Sequence, residues 1–399
     1  MPDSGLKSVA VGIDDSCQSA DRASASGPLK GVRAIEFAGI GPGPFCGQLL
    51  SDAGADIVRI DRVSSAEANL TEVTKRGRRS LALNLKDPRA VEVCLSLVDR
   101  ADILFEGYRP GVMERLGLGP EIVLERNPKI VYGRMTGWGQ TGPIADAAGH
   151  DINYIAISGA LHAIGTPEKP LPPLNLVGDF GGGALYLAFG MLAALHHARV
   201  SGKGQVVDAA MSEGAASLMS FFYGLRADGQ MTEIRSDNRL DGGAHFYNTY
   251  KCSDEKWIAV GSFEPEFYEI LLERTGFADD PDFRQQMNKK IWPKLKDKLA
   301  AVFASKTRSE WCAIFEGSDA CFAPIMDLSE APHHRQNLAR QAFVEIEGVV
   351  QPAPTPRFSL TPGRVQCPPV RPGADSERAL RDWGISAEQV EKLKLDGVI

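Results

Sequence analysis

VRAIEFAGIGPGPFCGQLLSDAGADIVRID, residues 32–61, is the stretch on which the fold turns. Val32–Ala38 (VRAIEFA) lies between glycines and reads as a buried strand. Glycines and prolines at 39–44 break it, and the chain then leads through FCGQLLSDAGA into a helix. Asp56–Asp61 (DIVRID) reads as a second strand. Strand, helix and strand within about thirty residues make a βαβ unit, and a helical crossover joins parallel neighbours. The class is therefore α/β, built on a parallel sheet.

The same stretch offers a dinucleotide-binding reading, because glycines follow the first strand and Asp61 ends the second about twenty residues later. Pro42 and Pro44 argue against it, since they remove N–H donors where a pyrophosphate would need them, and Cys46 takes the third glycine position. The turn is better read as packing. A basic stretch follows, Arg59, Arg62, Lys75, Arg76, Arg78 and Arg79, open to two readings: a solvated loop or a phosphate clamp. The βαβ rhythm continues with strands at Leu81–Leu85, Ala101–Phe105 and Pro128–Met135 and a helix over Lys86–Ala101. Glu106–Arg115 (EGYRPGVMER) lies at the carboxyl end of a strand, where open α/β sheets bind ligands. Tyr108 offers a flat face for a base, and Arg109 and Arg115 offer phosphate partners.

Gly149–Gly183 carries the chemistry. It runs from GHDINY to PPLNLVGDFGGG and supplies His150, Asp179 and Gly181–Gly183 ahead of an apolar helix over Gly183–Arg199. Either side chain alone has a plain reading, a structural histidine or a helix-capping aspartate. Together, a base, an acid and backbone donors at a helix start are what proton abstraction beside a carbonyl requires. Three glycines behind a cap weaken a helix, so a capping role does not account for them. Gln205–Ala210 is a further strand and Met211–Leu225 a helix. From about Ala227 to residue 330 the pattern is that of a smaller α+β domain, with a hairpin of Tyr247–Lys251 and Trp257–Gly261 and helices opening at Pro265, Trp292 and Ser309. Residues 29–226 form the large domain, and proline-rich 331–399 returns to it, ending in a helix at Ser386–Lys394.

Composition sets bounds on function. The net charge of −7 disfavours general nucleic-acid binding without excluding a local basic pocket. Seven scattered cysteines without a C-x-x-C pair indicate reduced thiols in an intracellular protein, and no Cys/His spacing marks a metal site. The apolar run around Leu185–Leu195 is too short to span a bilayer. Residues 1–28, rich in Ser, Ala and Asp, read as a disordered leader without an address signal.

The segments LKGVRAIEFAGIGPGPFCGQLLSDAGADIVRIDR, EGYRPGVMERLGLGP, GRMTGWGQTGP, GHDINYIAISG, PPLNLVGDFGGG and GKGQVVDAAM together resemble the family III CoA-transferase superfamily, and within it the α-methylacyl-CoA racemase branch. The similarity runs from about Leu29 to at least Pro356 and is most specific in the first 215 residues. It implies an interlocked homodimer with a Rossmann-like large domain, and a 2-methyl-branched acyl-CoA thioester as substrate. It implies racemisation through an enolate without a metal or redox cofactor, His150 and Asp179 being the acid/base pair and Glu264 of FEPEFY the partner of that histidine. By the same correspondence Arg62 meets the CoA phosphates, and Leu83, Asn84, Leu85 and Lys86 line the adenine and ribose region. Gly107, Tyr108, Arg109 and Arg115 hold the nucleotide and diphosphate, while Gly149, Asp151, Ile152, Asn153 and Tyr154 line the thioester. Asn84 departs from the pattern, because relatives often carry Asp there. Met211 and Met219 are candidates for an acyl-chain surface, though core packing explains them equally. Two rivals remain: CoA transfer, with the Asp179 carboxylate as nucleophile, and a catalytically silent acyl-CoA binder. His150 disfavours the first, since transfer needs no second base there, and the presence of both side chains disfavours the second.

Overall fold

The computed structural model describes residues 8, 9, 26–63 and 70–399 and divides the chain into two compact units. The first contains the chain through Ser158, Leu174–Leu218 and Arg335–Ile399; the second contains Gly159–Pro173 and Met219–His334. The sequence had assigned 159–173 and 219–226 to the large domain and 331–334 to the returning segment; the structure places all three in the second unit.

Six parallel strands form the sheet of the first unit: β1 (Arg33–Phe37), β2 (Asp56–Asp61), β3 (Arg79–Ala82), β4 (Ile103–Glu106), β5 (Val131–Thr136) and β6 (Gln205–Ala210). Their spatial order is β3-β2-β1-β4-β5-β6, so the chain reverses direction of travel between β1 and β4. That reversal opens a crevice at the carboxyl ends of those two strands, where doubly wound sheets take their ligands. β4 and β5 are buried along their whole length, as strands covered by helices on both faces must be. The helices are α1 (Pro42–Asp52), α2 (Pro88–Val98), α3 (Val112–Arg115), α4 (Pro120–Arg126), α5 (Asp151–Ile157), α6 (Tyr186–Ser201) and α7 (Met211–Leu218). Proline stands in the first turn of α1, α2 and α4, where its missing N–H costs nothing, and Asp87 caps α2 by accepting from Arg89 N–H. One core cluster joins α2 to Leu380, Trp383, Val390 and Val398 of the chain end; the other joins α1, α6 and Met211 across the opposite face. Each large apolar side chain buried there contributes roughly 1.5–3 kcal/mol.

Four members of the basic stretch take neither reading that the sequence offered. Arg59, Arg76, Arg78 and Arg79 are buried in ion pairs with Asp61, Asp52, Glu36 and Asp56 at 2.5–3.0 Å. Arg79 also reaches Asp382 at 2.7 Å, and Arg76 meets Gln351 at 2.7 Å and the Pro352 carbonyl at 2.8 Å. These arginines tie the returning segment to the sheet. Burial pushes the Glu36 carboxyl up, against the opposing pull of Arg78 and Arg59, and lowers Arg78, so this pair sits in a place that favours neither charge alone. Gln366 adds bonds to Ser51 O at 2.5 Å and Ala55 O at 3.1 Å. Ser376–Asp382 is a helix that the proline-rich reading omitted, whereas the helix expected at Ser386–Lys394 is present as Ala387–Leu395, with Ser386 as its cap.

The apolar helix begins earlier than the sequence indicates. Leu176–Leu185 forms a run of π-helix that continues directly into α6, which stops at Gly202 in the left-handed region (φ 76°). The continuous 26-residue helix is longer than its apolar run suggested and reaches the length and hydropathy of a membrane span, as a long core helix also does. Its Leu187, Met191 and Leu195 pack against the sheet, as the side chains of a core helix do. The glycines serve that packing: a Cβ on Gly182 would lie 2.6 Å from Ala215 N, and one on Gly183 would lie 2.8 Å from the Met211 side chain. α7 ends at Leu218, and a separate helix, Ser220–Ala227, starts in the second unit, where the sequence suggested one helix to Leu225.

The expected leader falls largely outside the described residues, except that Ser8–Val9 pair in parallel with Glu345–Ile346 and residues 26–28 approach the end of α1. Among the described residues Cys46, Cys94, Cys252, Cys312 and Cys321 are free thiols.

The second unit holds an antiparallel sheet of β7 (Tyr247–Lys251), β8 (Trp257–Gly261) and β9 (Phe322–Pro324), with helices Pro265–Thr275, Trp292–Phe303 and Arg308–Phe315 around an aromatic core. His245 is fully buried in that core and its Nε2 lies 2.6 Å from the Tyr268 hydroxyl, which itself donates to Phe283 O at 3.1 Å. Burial, helped by Lys296, lowers His245 to about 3 from 6.5. A depressed histidine contributes its stability in full above pH 6.5 and loses it as pH falls toward 3. Wild-type protein should therefore lose about 2 kcal/mol more than His245→Gln between pH 7 and pH 5 in urea titrations. Equal losses in the two proteins would remove this account.

Candidate active site

The carboxyl ends of β1 and β4 open into a cavity of about 520 Å³. Its walls come from the turn Gly39–Gly43, from Glu106–Pro110 after β4, from Gly137 and Trp138 after β5, and from Gly149, His150, Tyr154, Asn175, Asp179 and Met211. The structure thus brings His150 and Asp179 to one chamber, although 28 residues separate Asp179 from the neighbouring Asp151 in sequence.

Each is held by local backbone. His150 sits immediately before α5 with extended φ/ψ (−132°, 174°), its N–H donating to Asn153 Oδ1 at 3.1 Å and its carbonyl accepting from Asn153 N–H at 2.8 Å. The imidazole stays exposed. Asp179 lies inside the π-helical turn and is only 8% accessible. Its N–H donates to Asp151 Oδ1 at 2.6 Å and its Oδ2 accepts from Asn175 at 2.7 Å. Burial is the main cause that raises the Asp179 carboxyl; Asn175 pulls it down, Asp151 pushes it further up and His150 draws it down. Such a carboxyl keeps its proton to higher pH than an ordinary one, which equips it to donate as well as to accept. Asp179 is therefore no simple helix cap.

The glycine-rich turn is part of this chamber, which corrects its reading as packing alone. Gly41 has φ 68° and faces Asp179, whose Oδ2 would lie 2.9 Å from any Cβ at that position. Gly137 and Gly149 clear space for the Tyr154 ring, which stacks edge-on against Trp138 with centroids 4.8 Å apart.

A second cavity of about 780 Å³ adjoins the first through Tyr108, which lines both. Arg62, Leu83, Asn84, Leu85 and Lys86 surround it, with Val112, Leu116 and, from the chain end, Gly397. Gly107 and Arg109 line the first cavity; Arg115 follows on α3 and its guanidinium lies close to Gly111. Asp151, Ile152 and Asn153 form the first turn of α5. Glu264 belongs to the second unit, exposed immediately before the helix Pro265–Thr275. The two methionines separate: Met211 lines the His150 chamber, whereas Met219 lines a cavity of about 320 Å³ inside the second unit.

Several site residues escaped the sequence reading. Asn175, one helical turn before Asp179, carried a signal in its spacing. Glu106 gave none: it is buried at the end of β4, accepts from Tyr108 N–H at 2.6 Å, and is pushed up to about 7 by burial despite Arg134.

Residues 29–376 match the model of CoA-transferase family III. The chain is 45% identical over 376 residues to the α-methylacyl-CoA racemase of Mus musculus and 43% identical over 379 residues to that of Homo sapiens, in each case covering 93% of this chain and 97% of the relative. Among solved structures, Rv3272 of M. tuberculosis superposes with a TM-score of 0.74 at 26% identity, over 88% of this chain and 99% of the other.

Proposed function

The chain belongs to CoA-transferase family III, and from that premise we propose that it interconverts the 2R and 2S forms of 2-methylacyl-CoA thioesters. The observation that carries this reading is the convergence of His150 and Asp179 on one chamber that adjoins a larger, partly basic one. An acyl-CoA thioester is long and charged at one end, so its nucleotide suits the Arg62 and Lys86 cavity while its acyl carbon reaches the acid/base pair past Tyr108.

One member of the pair removes the C2 proton from one face, and the electron pair moves onto the thioester oxygen as an enolate. The other member returns a proton to the opposite face, and the roles exchange for the reverse direction. The Asp151 and Ile152 N–H groups open α5 ahead of its first backbone bond, from Asn153 N–H to the His150 carbonyl, and supply donors for the enolate oxygen. Only a proton moves and no carbon changes oxidation state, so we assign neither metal nor redox cofactor; coenzyme A enters as part of the substrate.

We assign a homodimer as the working form, because Ile152, Ile157, Leu176, Leu185 and Phe189 leave an apolar face exposed on the first unit, Phe189 at 74%. Glu264 of the partner subunit would then complete the His150 side. A monomer mass in sedimentation at micromolar concentration would count against the assignment.

CoA transfer through an Asp179 anhydride is the competing chemistry, and it leaves His150 without work. The discriminating experiment supplies one enantiomer of a 2-methylacyl-CoA and no acceptor acid. Racemisation is expected. Optical purity that persists until an acid is added, with thioester then exchanged, would establish transfer instead.

A further inference from the structure

Arg134 occupies β5 directly opposite Glu106 of β4, and both are buried. Its Nε donates to Glu106 Oε1 at 3.1 Å, while its two terminal nitrogens donate to the two oxygens of Glu114 on α3 at 2.8 and 3.3 Å. The other Glu106 oxygen accepts the Tyr108 N–H at 2.6 Å. One guanidinium therefore clamps both ends of the segment 107–113, and that segment carries Tyr108 and Arg109 and leads into Arg115. Only the planar, five-donor fork of arginine can serve a single-bonded and a bidentate carboxylate at once. The segment needs such a clamp: Gly111 sits in the left-handed region at φ 77°, and α3 is a single turn that cannot hold itself.

We propose that Arg134, acting through Glu106 and Glu114, is a positioning residue that fixes the Tyr108–Arg115 segment at the junction of the two cavities for coenzyme A. This rests on the acyl-CoA reading above. Arg134 points its donors at protein carboxylates, so its effect on the ligand is indirect. A clamp of this kind acts on binding of the nucleotide end and leaves the proton transfers at His150 and Asp179 largely alone.

The test compares wild type, Arg134→Lys, Glu114→Gln and the surface variant Arg126→Gln, whose ion pair with Asp99 lies at 2.7 Å on α4. Free CoA affinity is read by calorimetry, KM and kcat by chiral analysis of product, and folding by thermal melts. Arg134→Lys keeps the charge but loses the fork, and should weaken CoA and raise KM about tenfold with kcat changed less than threefold. Glu114→Gln should do so about threefold, and Arg126→Gln should match wild type. If Arg134→Lys does not fold, Glu114→Gln decides, its side chain being half exposed. Wild-type CoA affinity with no change in either clamp variant would overturn the inference while leaving the acyl-CoA reading intact. A fall in kcat at constant KM would also overturn it. No CoA binding by wild type would sink both.

Discussion

Asp179→Asn is expected to lower kcat about a thousandfold, and His150→Ala by a similar factor, with CoA affinity within threefold of wild type. The asparagine is isosteric and retains an oxygen for the Asn175 contact, so the chamber keeps its shape while losing its titrating group. His150 is exposed and takes part through its backbone in starting α5, so truncation to alanine spares the local fold. The two effects should not multiply in the double variant, because each side chain is useless for racemisation without the other. Initial rates on either enantiomer check this. A loss below tenfold in either single variant would remove that side chain from the acid/base pair.

The second large effect comes from a residue that touches no ligand. Gly214 on α7 faces Gly182 so closely that a Cβ would lie 1.9 Å from the Gly182 carbonyl oxygen. Gly214→Ala must part the two helices by more than an ångström, at a cost on the order of 1–3 kcal/mol. Gly182 lies in the same π-helical turn as Asp179, so the displacement passes to the carboxylate. A shift of that size costs about a hundredfold in kcat/KM, since proton transfer depends on near-contact geometry. Gly224→Ala provides the contrast: nothing lies within 4 Å of its Cβ position, and this variant should be neutral or slightly more stable. Thermal melts and kcat/KM of both variants decide the matter; equal behaviour would refute the close-packing role.

These strands were legible because short runs rich in β-branched and aromatic residues lie between turn signals, and DIVRID, QVVDAA and the 247–261 hairpin sit at their expected residues. The start of the long apolar helix was not, because three glycines read locally as a helix break, whereas their reason lies across the helix in α7. The buried arginines were illegible for a related cause. Arg79 finds Asp382 across 303 residues of chain, and no local window connects them. The same holds for Arg134 and Glu106, and for the membership of 159–173 in the second unit. His150 and Asp179 stand out in their motifs, but the place of the Gly41 turn beside Asp179 does not, because its prolines speak against phosphate binding and carry no sign of a neighbour 138 residues on.

Incubating a single enantiomer of a 2-methylacyl-CoA with the wild-type protein in D2O, without acceptor acid, tests the central claim most directly. Deuterium content and configuration at C2 are followed together by NMR and chiral chromatography. The account predicts that deuterium enters C2 and that optical purity falls toward the racemate on the same time course. A C2 position that stays fully protonated and optically pure over many enzyme equivalents, in protein that binds CoA, would contradict it.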